Sequence, residues 1–150
     1  MHQLRRLPFE DLGYARIDSH RCVRTGVSEI IYCAGKTVPQ IVGIAQRISE
    51  HSHNIVFTRA SAEVFSAVRQ AVSSCEYHET ARIIVVNPEA AQRTGSVVVV
   101  SAGTSDMPVA EEAAVTAEVL GNRVNRIYDV GVAGIHRLLH VCDDLFAANV

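Results

Sequence analysis

The sequence predicts an α/β protein: a small amino-terminal α/β unit over residues 1–90, then the opening βαβα of a parallel sheet with flanking helices over residues 91–150. Three observations predict it. Short β-branched runs alternate with segments whose apolar residues recur at helical spacing. Val97-Val98-Val99-Val100 is an apolar run without alternation, the pattern of a strand covered on both faces by helices. Small-residue loops follow the last two predicted strands, at the strand ends where open parallel sheets bind ligands.

Residues 1–28 show no periodicity and carry the polar cluster Asp18-Ser19-His20-Arg21-Cys22-Val23-Arg24. Glu29–Cys33 is β-branched and aromatic enough for a short strand, and Gly35-Lys36 turns the chain. Thr37-x-x-Gln40 has the spacing of a capping box, in which each side chain satisfies the other's free amide, and Pro39 suits a first helical turn. Ile41, Ile44, Ala45 and Ile48 then share one face of a helix that runs to about Ser49. Asn54–Thr58 predicts a second strand. Ser61 caps a second helix with Val64, Phe65, Val68 and Val72 on one face, and Arg82–Val86 predicts a third strand.

Asn87–Ser96, with Pro88 and Gly95, reads as a linker. Ser96–Ser101 is the valine strand and Ala102–Asp106 its loop. Pro108–Leu120 is a helix: Pro108 lies near its start, Glu111 and Glu112 in early turns that the macrodipole favours, and Gly121 ends it. Val124–Val130 is the next strand, Gly131–Gly134 its loop and Ile135–Ala147 the next helix. Asn149-Val150 forms the lip of a third strand. Two strands and two helices are too few to close a doubly wound layer, so the reading expects a fragment whose second domain is incomplete at Val150.

Composition excludes several classes. Hydrophobic residues make up 48% and charged residues 20%, enough for a core. A net charge of −2 from 14 basic and 16 acidic residues gives no polyelectrolyte signal, so no nucleic-acid partner is expected. No apolar run approaches the roughly 20 residues that span a bilayer, and Met1–Glu10 lacks the apolar core of a secretory signal. A cytoplasmic protein with no membrane partner is the expectation. Cys22, Cys33, Cys75 and Cys142 form no CxxC pair and are expected reduced. His51 with His53, or His136 with His140, lacks a third ligand nearby, so no metal site is expected. The basic residues include a single lysine, Lys36, beside a glycine.

Two loops carry the chemistry. In Ser101-Ala102-Gly103-Thr104-Ser105-Asp106, small residues let backbone amides approach an anion at a helix start. Thr104 and Ser105 supply hydroxyls for phosphate or ribose, and Asp106 accepts from a ribose hydroxyl or handles a proton. Equally, Ser105 and Asp106 are suited simply to cap the helix. In Gly131-Val132-Ala133-Gly134-Ile135-His136-Arg137, Arg137 suits a phosphate in bidentate fashion and His136 titrates near neutrality as a general acid or base. The local alternative is a histidine that only hydrogen-bonds to its own turn.

Gly-Thr-Ser-Asp, a helix, a strand and Gly-Ile-His-Arg together resemble the purine-biosynthesis carboxylases acting on aminoimidazole ribonucleotide, the PurE type, which carry Ser-Asp and Ala-His-Arg loops. The longer strings Ala102-Gly103-Thr104-Ser105-Asp106-Met107-Pro108-Val109-Ala110-Glu111-Glu112-Ala113 and Tyr128-Asp129-Val130-Gly131-Val132-Ala133-Gly134-Ile135-His136-Arg137-Leu138 resemble a sister family more closely. That family is LarB, which makes the first intermediate of the nickel-pincer nucleotide cofactor. Asp18-x-His20-Arg21-x-x-Arg24-x-Gly26, Glu29 and Gly35-Lys36-Thr37 are similar to the LarB amino-terminal signature. Ser28 departs from the proline usual there. Met107 replaces the tryptophan usual in the purine enzyme.

The resemblance implies a flavodoxin-like, PurE-like second domain and a reaction: carboxylation of the pyridinium ring of nicotinic acid adenine dinucleotide at C5 with CO2 or bicarbonate, and hydrolysis of its phosphoanhydride to release AMP. It implies His136 and Asp106 as catalytic candidates and Gly103, Thr104, Ser105 and Arg137 as substrate or phosphate ligands. Lys36, Arg21, Arg24 and Asp18 join them from the front half. An alternative for Asp18, Arg21, Arg24 and Glu29 is a surface ion-pair network. No tightly bound cofactor is implied, CO2 or bicarbonate is the co-substrate, and Mg2+ at the phosphoanhydride is left open. LarB enzymes also use a ring-attacking cysteine in their carboxyl-terminal part, a position none of the four cysteines occupies, so the 150 residues alone are expected to be inactive. A homo-oligomer through the PurE-like domain is expected of the parent. The alternatives are an aminoimidazole ribonucleotide carboxylase or mutase, and a non-catalytic nucleotide-binding module.

Overall fold

A computed structural model describes residues 9–18, 26–27, 29–90 and 92–150. By chain contacts it divides into two compact units, Met1–Glu76 with Ile84–Glu89, and Tyr77–Ile83 with Ala90–Val150. The fold is mixed α/β, with parallel strand pairs and flanking helices, as the sequence predicts.

Order begins earlier than the pattern of residues 1–28 suggests. β1 (Phe9–Asp11) and β2 (Arg16–Asp18) form an antiparallel hairpin. Its turn is fixed by local chemistry: Gly13 adopts φ 81° and donates its amide to the Asp11 carboxylate at 2.8 Å. Three-residue strands are too short for alternation to show, which is why the hairpin is silent in the sequence.

β3 (Ile30–Tyr32) pairs in parallel with β4 (Ile55–Thr58), and α1 (Val38–Ser49) connects them. The predicted capping box is present: Gln40 N donates to Thr37 Oγ1, and Thr37 N donates to Gln40 Oε1 at 3.0 Å. Ile41, Ile44, Ala45 and Ile48 are the buried face of α1. α2 (Ala62–Ala71) is capped by Ser61, whose hydroxyl accepts the Val64 amide, and it buries Val64 and Val68. Phe65 is only half-buried and lies under the Arg69 guanidinium.

β5 (Cys75–His78) and β6 (Ile83–Val86) complete a sheet of order β3-β4-β6-β5, with β4 and β6 antiparallel. Cys-Glu-Tyr-His has neither a β-branched run nor alternation, so β5 escapes a sequence reading. Every residue of β4 and β6 is buried, so both faces of these central strands are covered.

In the second unit β7 (Gly95–Val100) pairs in parallel with β8 (Asn122–Ile127), joined by α3 (Met107–Val119). α3 buries Ala110, Ala114 and Val115, and its small side chains let it lie close to the strands. Gly121, at φ 86°, ends the helix where a left-handed residue is needed. Two short helices follow, α4 (Ile135–His140) and α5 (Cys142–Phe146). Val97–Val99 are half-buried and Val100 is 43% exposed, not sealed on both faces as the valine run predicts. The reason is coverage: β7–β8 is a two-stranded sheet among the described residues. The other edge of β7 meets the last residues of the chain. Val98 N donates to Val150 O at 2.8 Å and Val150 N to Ser96 O at 3.4 Å, the register of a parallel partner for Val97.

Candidate functional site

The loops after β7 and β8 are stitched together by backbone. Ser101 N donates to Ile127 O at 3.1 Å, Val130 N to Ser101 O at 3.1 Å, and Gly131 N to Ala102 O at 3.0 Å. Past the end of the parallel ladder these backbone bonds hold the loops side by side at the carboxyl edge. Gly131 is needed for this approach, because a Cβ there would lie 2.9 Å from the Ala102 carbonyl oxygen. Ser101 is buried, and among the described residues its hydroxyl has no hydrogen-bond partner. A buried orphan hydroxyl costs about 1–3 kcal/mol and so asks for a reason.

In the first loop Thr104–Asp106 is a single 3-10 turn leading into α3. The Asp106 carboxylate folds back and accepts the Gly103 amide at 3.0 Å. One amide expected to face an anion is thus held by a carboxylate of the same turn, the local capping role that the sequence allows for Asp106. Thr104, Ser105 and Asp106 are exposed, and Gly103 is half-exposed.

The second loop shapes an open cleft of about 480 Å³, lined by Tyr128, Asp129, Val130, His136, Arg137, His140 and Val141. Arg137 bends back across its own loop and its Nη1 pairs with Asp129 Oδ2 at 2.6 Å. The bend passes over Gly134, where a Cβ would lie 2.7 Å from the Arg137 Nε. Asp129 has φ 61°, a left-handed backbone that Asp tolerates better than most residues. His136 is exposed on the cleft wall one position from Arg137. Gly103, Thr104, Ser105 and Asp106 are not part of this lining.

Behind the cleft a polar cluster fixes β8 to α3. Arg126 donates to Glu118 through Nη1 at 2.7 Å and Nη2 at 2.8 Å, and through Nε to Glu111 at 3.2 Å. Tyr128 donates to Glu111 at 2.7 Å. The hydrogen bond from Arg126 holds the Glu118 carboxyl below its usual range, and the same bond raises Arg126 further. Burial, and then the Glu111 hydrogen bond, push the Tyr128 phenol up to about 12, so Tyr128 acts as a donor and not as a proton source near neutrality. Glu111 thus serves the strand, and not only the helix macrodipole.

The LarB/PurE-like N-terminal domain family matches residues 9–89, more than half of the chain. The chain belongs to the LarB/PurE-like family. An uncharacterized protein of Methanocaldococcus jannaschii is 32% identical over 130 residues, covering 82% of this chain and 51% of that protein. The chain therefore spans about half the length of that curated relative. Membership places this LarB/PurE-like chain among carboxylase-related proteins.

Within the family-matched segment, Lys36 lies at the turn after β3. Its Nζ donates to the Tyr32 carbonyl at 2.7 Å, and it lines a second cavity of about 290 Å³ with Ile17, Glu29, Ile30 and Ile44. Asp18 ends β2, whereas Arg21, Arg24 and His20 lie outside the described residues. Among the described residues no group of three or more His, Cys, Asp or Glu side chains suits a metal ion. No helix among them is long and apolar enough to cross a membrane. Cys33 is buried, and desolvation pushes its thiol up to about 11 against a smaller opposing pull from Lys36; burial also raises Cys75. Neither is poised as a thiolate nucleophile.

Sequence reasoning missed Asp129, Arg126 and Ser101 as contributors. Two signals were available. An Asp at a strand end before a glycine loop favours φ > 0. Arg126 in β8 and Tyr128 just past its end are two residues apart, the spacing of one strand face, while Glu111 and Glu118 sit two turns apart on one face of α3.

Proposed function

We propose that the chain supplies the amino-terminal domain, residues 1–90, and the opening part of a PurE-like carboxylase domain, residues 91–150, of an enzyme that carboxylates the pyridinium ring of nicotinic acid adenine dinucleotide at C5. CO2 or bicarbonate provides the new carboxylate, the C5 proton leaves, and water cleaves the phosphoanhydride to release AMP. The observation that carries this reading is the backbone stitching of Ser101–Ala102 to Val130–Gly131, which keeps the Ser-Asp and His-Arg loops at one strand edge. In this reading Arg137 meets an anionic group of the dinucleotide through its guanidinium. Thr104 and Ser105 offer two hydroxyls to phosphate or ribose, and Gly103 remains a proposed ligand whose amide Asp106 must first release. His136, exposed on the cleft wall, takes the ring proton. Asp106, whose carboxylate already accepts the Gly103 amide, shapes the loop and is the second candidate base. Lys36, Asp18, Arg21 and Arg24 remain proposed ligands from the front half. The parent is proposed to be a cytoplasmic homo-oligomer assembled through the PurE-like domain.

Titration of the 150-residue chain with nicotinic acid adenine dinucleotide, aminoimidazole ribonucleotide and AMP tests the reading. The dinucleotide is expected to bind most tightly, and Arg137→Gln to weaken it at least tenfold. Tighter binding of aminoimidazole ribonucleotide would transfer the assignment to the purine enzyme. Binding of AMP alone would leave a nucleotide-binding module.

A further inference from the structure

One nitrogen of the Arg137 guanidinium is already taken in the conformation it adopts. Its Nη1 is engaged by Asp129 at 2.6 Å. Its Nε and Nη2 lie over Gly134, at 2.7 and 3.2 Å from where a Cβ would stand. A phosphoryl or carboxylate group grips a guanidinium through two neighbouring nitrogens, and the Nη1/Nη2 edge of Arg137 contains the nitrogen that Asp129 already holds.

Asp129 differs from the other Asx residues with left-handed backbone. Asn54, at φ 52°, accepts the Glu89 amide through Oδ1. Asn87, at φ 49°, donates through Nδ2 to the Ser49 and Ser52 carbonyls. Both tie chain segments together. Asp129 instead turns its carboxylate to a cation on the cleft wall, and the Arg137 and Asp129 side chains are 40% and 60% exposed. An ion pair so exposed is a weak hold. It cancels the one permanent positive charge of the cleft lining, since His136 and His140 are the other basic residues there.

We propose that Asp129 is a specificity-determining residue: its carboxylate holds the Nη1 position of Arg137, which a substrate anion gripping the guanidinium end-on takes in its place. The inference rests on the reading that Arg137 binds a substrate anion, and adds that the anion does so by displacing Asp129. Gly134 belongs to the same device, because only a residue without Cβ lets the guanidinium lie back over the loop. The incoming group is a phosphoryl or a carboxylate.

Calorimetric titration of the 150-residue chain with AMP and, separately, with nicotinate distinguishes the two anions. Asp129→Asn keeps a side chain that tolerates φ 61° and removes the competing charge. It is expected to tighten one of the two ligands about 3–5-fold, the scale of an exposed pair. Gly134→Ala has a backbone φ of −121° that any residue adopts, and by pushing Arg137 off its resting place it is expected to tighten the same ligand. Adding Arg137→Gln is expected to abolish both gains. A merely structural role for Asp129 predicts the opposite sign. If Arg137→Gln weakens binding and Asp129→Asn weakens it or leaves it unchanged, the inference is overturned while the anion role of Arg137 stands. If Arg137→Gln changes neither affinity, or no variant binds either ligand, both are overturned.

Discussion

Replacing Gly131 with alanine tests the junction on which the candidate site depends. Gly131 has φ −60° and ψ 146°, a conformation alanine adopts freely, so the effect is steric and not conformational. The added Cβ would stand 2.9 Å from the Ala102 carbonyl oxygen, 3.4 Å from the Ala102 Cβ and 3.5 Å from its carbonyl carbon. Backbone atoms cannot rotate out of the way, so the two loops must part and the Gly131 N–H to Ala102 O bond lengthens. Overpacking of this kind costs about 1–3 kcal/mol and a lost hydrogen bond about 0.5–1.5 kcal/mol. Alanine returns about 0.4–1 kcal/mol by restricting the unfolded chain. The expected net loss is about 1–3 kcal/mol, and at about 2–4 °C per kcal/mol for a chain of this length the melting temperature falls by several degrees. Thermal melting by circular dichroism reads the loss, and amide hydrogen exchange at Val130 and Gly131 locates it. Gly103→Ala is the control, since a Cβ there meets only Asp106 Oδ2 at 3.9 Å. Equal melting temperatures and equal exchange in wild type and Gly131→Ala would refute the claim that the loops are clamped.

Three further outcomes follow from the side chains. Ser101→Ala removes an unpartnered buried hydroxyl, so stability is expected to hold or rise by up to about 1–2 kcal/mol; a fall in dinucleotide affinity alongside it would give Ser101 a ligand, whereas a clear loss of stability contradicts its orphan status. Glu118 has its folded pKa lowered by Arg126, so its contribution is present above its ordinary value near 4.5 and is lost as pH falls through the lower folded value; urea midpoints measured across that acid range should converge for wild type and Glu118→Gln, and parallel curves would reject the assignment. Lys36→Met removes an exposed donor to the Tyr32 carbonyl, which should cost under about 1 kcal/mol in stability, and unchanged dinucleotide affinity in that variant would remove Lys36 from the ligand set.

What the sequence shows and what it hides divide along physical lines. α1 was legible because three independent signals coincide at Thr37, Pro39 and the Ile41–Ile48 stripe, and each is local. β4 and β6 were legible because full burial leaves only apolar residues. The β1–β2 hairpin and β5 were not, because three- and four-residue strands held by turn chemistry and pairing leave no period to read. The antiparallel sense of β4–β6 is a long-range choice that neither strand encodes. At the site, the composition of both loops led to an expectation of anion binding, and gave no sign that Asp106 would fold onto Gly103 or Asp129 onto Arg137. Those pairings depend on distances between residues three and eight positions apart in turns, which composition does not fix.

Strand order supplies the remaining argument for where a ligand enters. β7 has β8 on one side, and on the other the Asn149–Val150 backbone in parallel register with Val97. The segment following α5 therefore returns to the opposite edge of β7, giving the order 2-1-3 that begins a flavodoxin-like sheet. In such sheets successive connections leave the first strand toward opposite edges, and the crevice opens where they diverge, above the carboxyl end of that strand. Here that end is Val100–Ser101, where the orphan hydroxyl of Ser101 and the exposed Thr104–Asp106 turn lie. The stitched Val130–Gly131 loop forms one wall of it. A ligand at this point would lie beside the exposed Thr104–Asp106 turn, with the Val130–Gly131 backbone held against Ser101–Ala102.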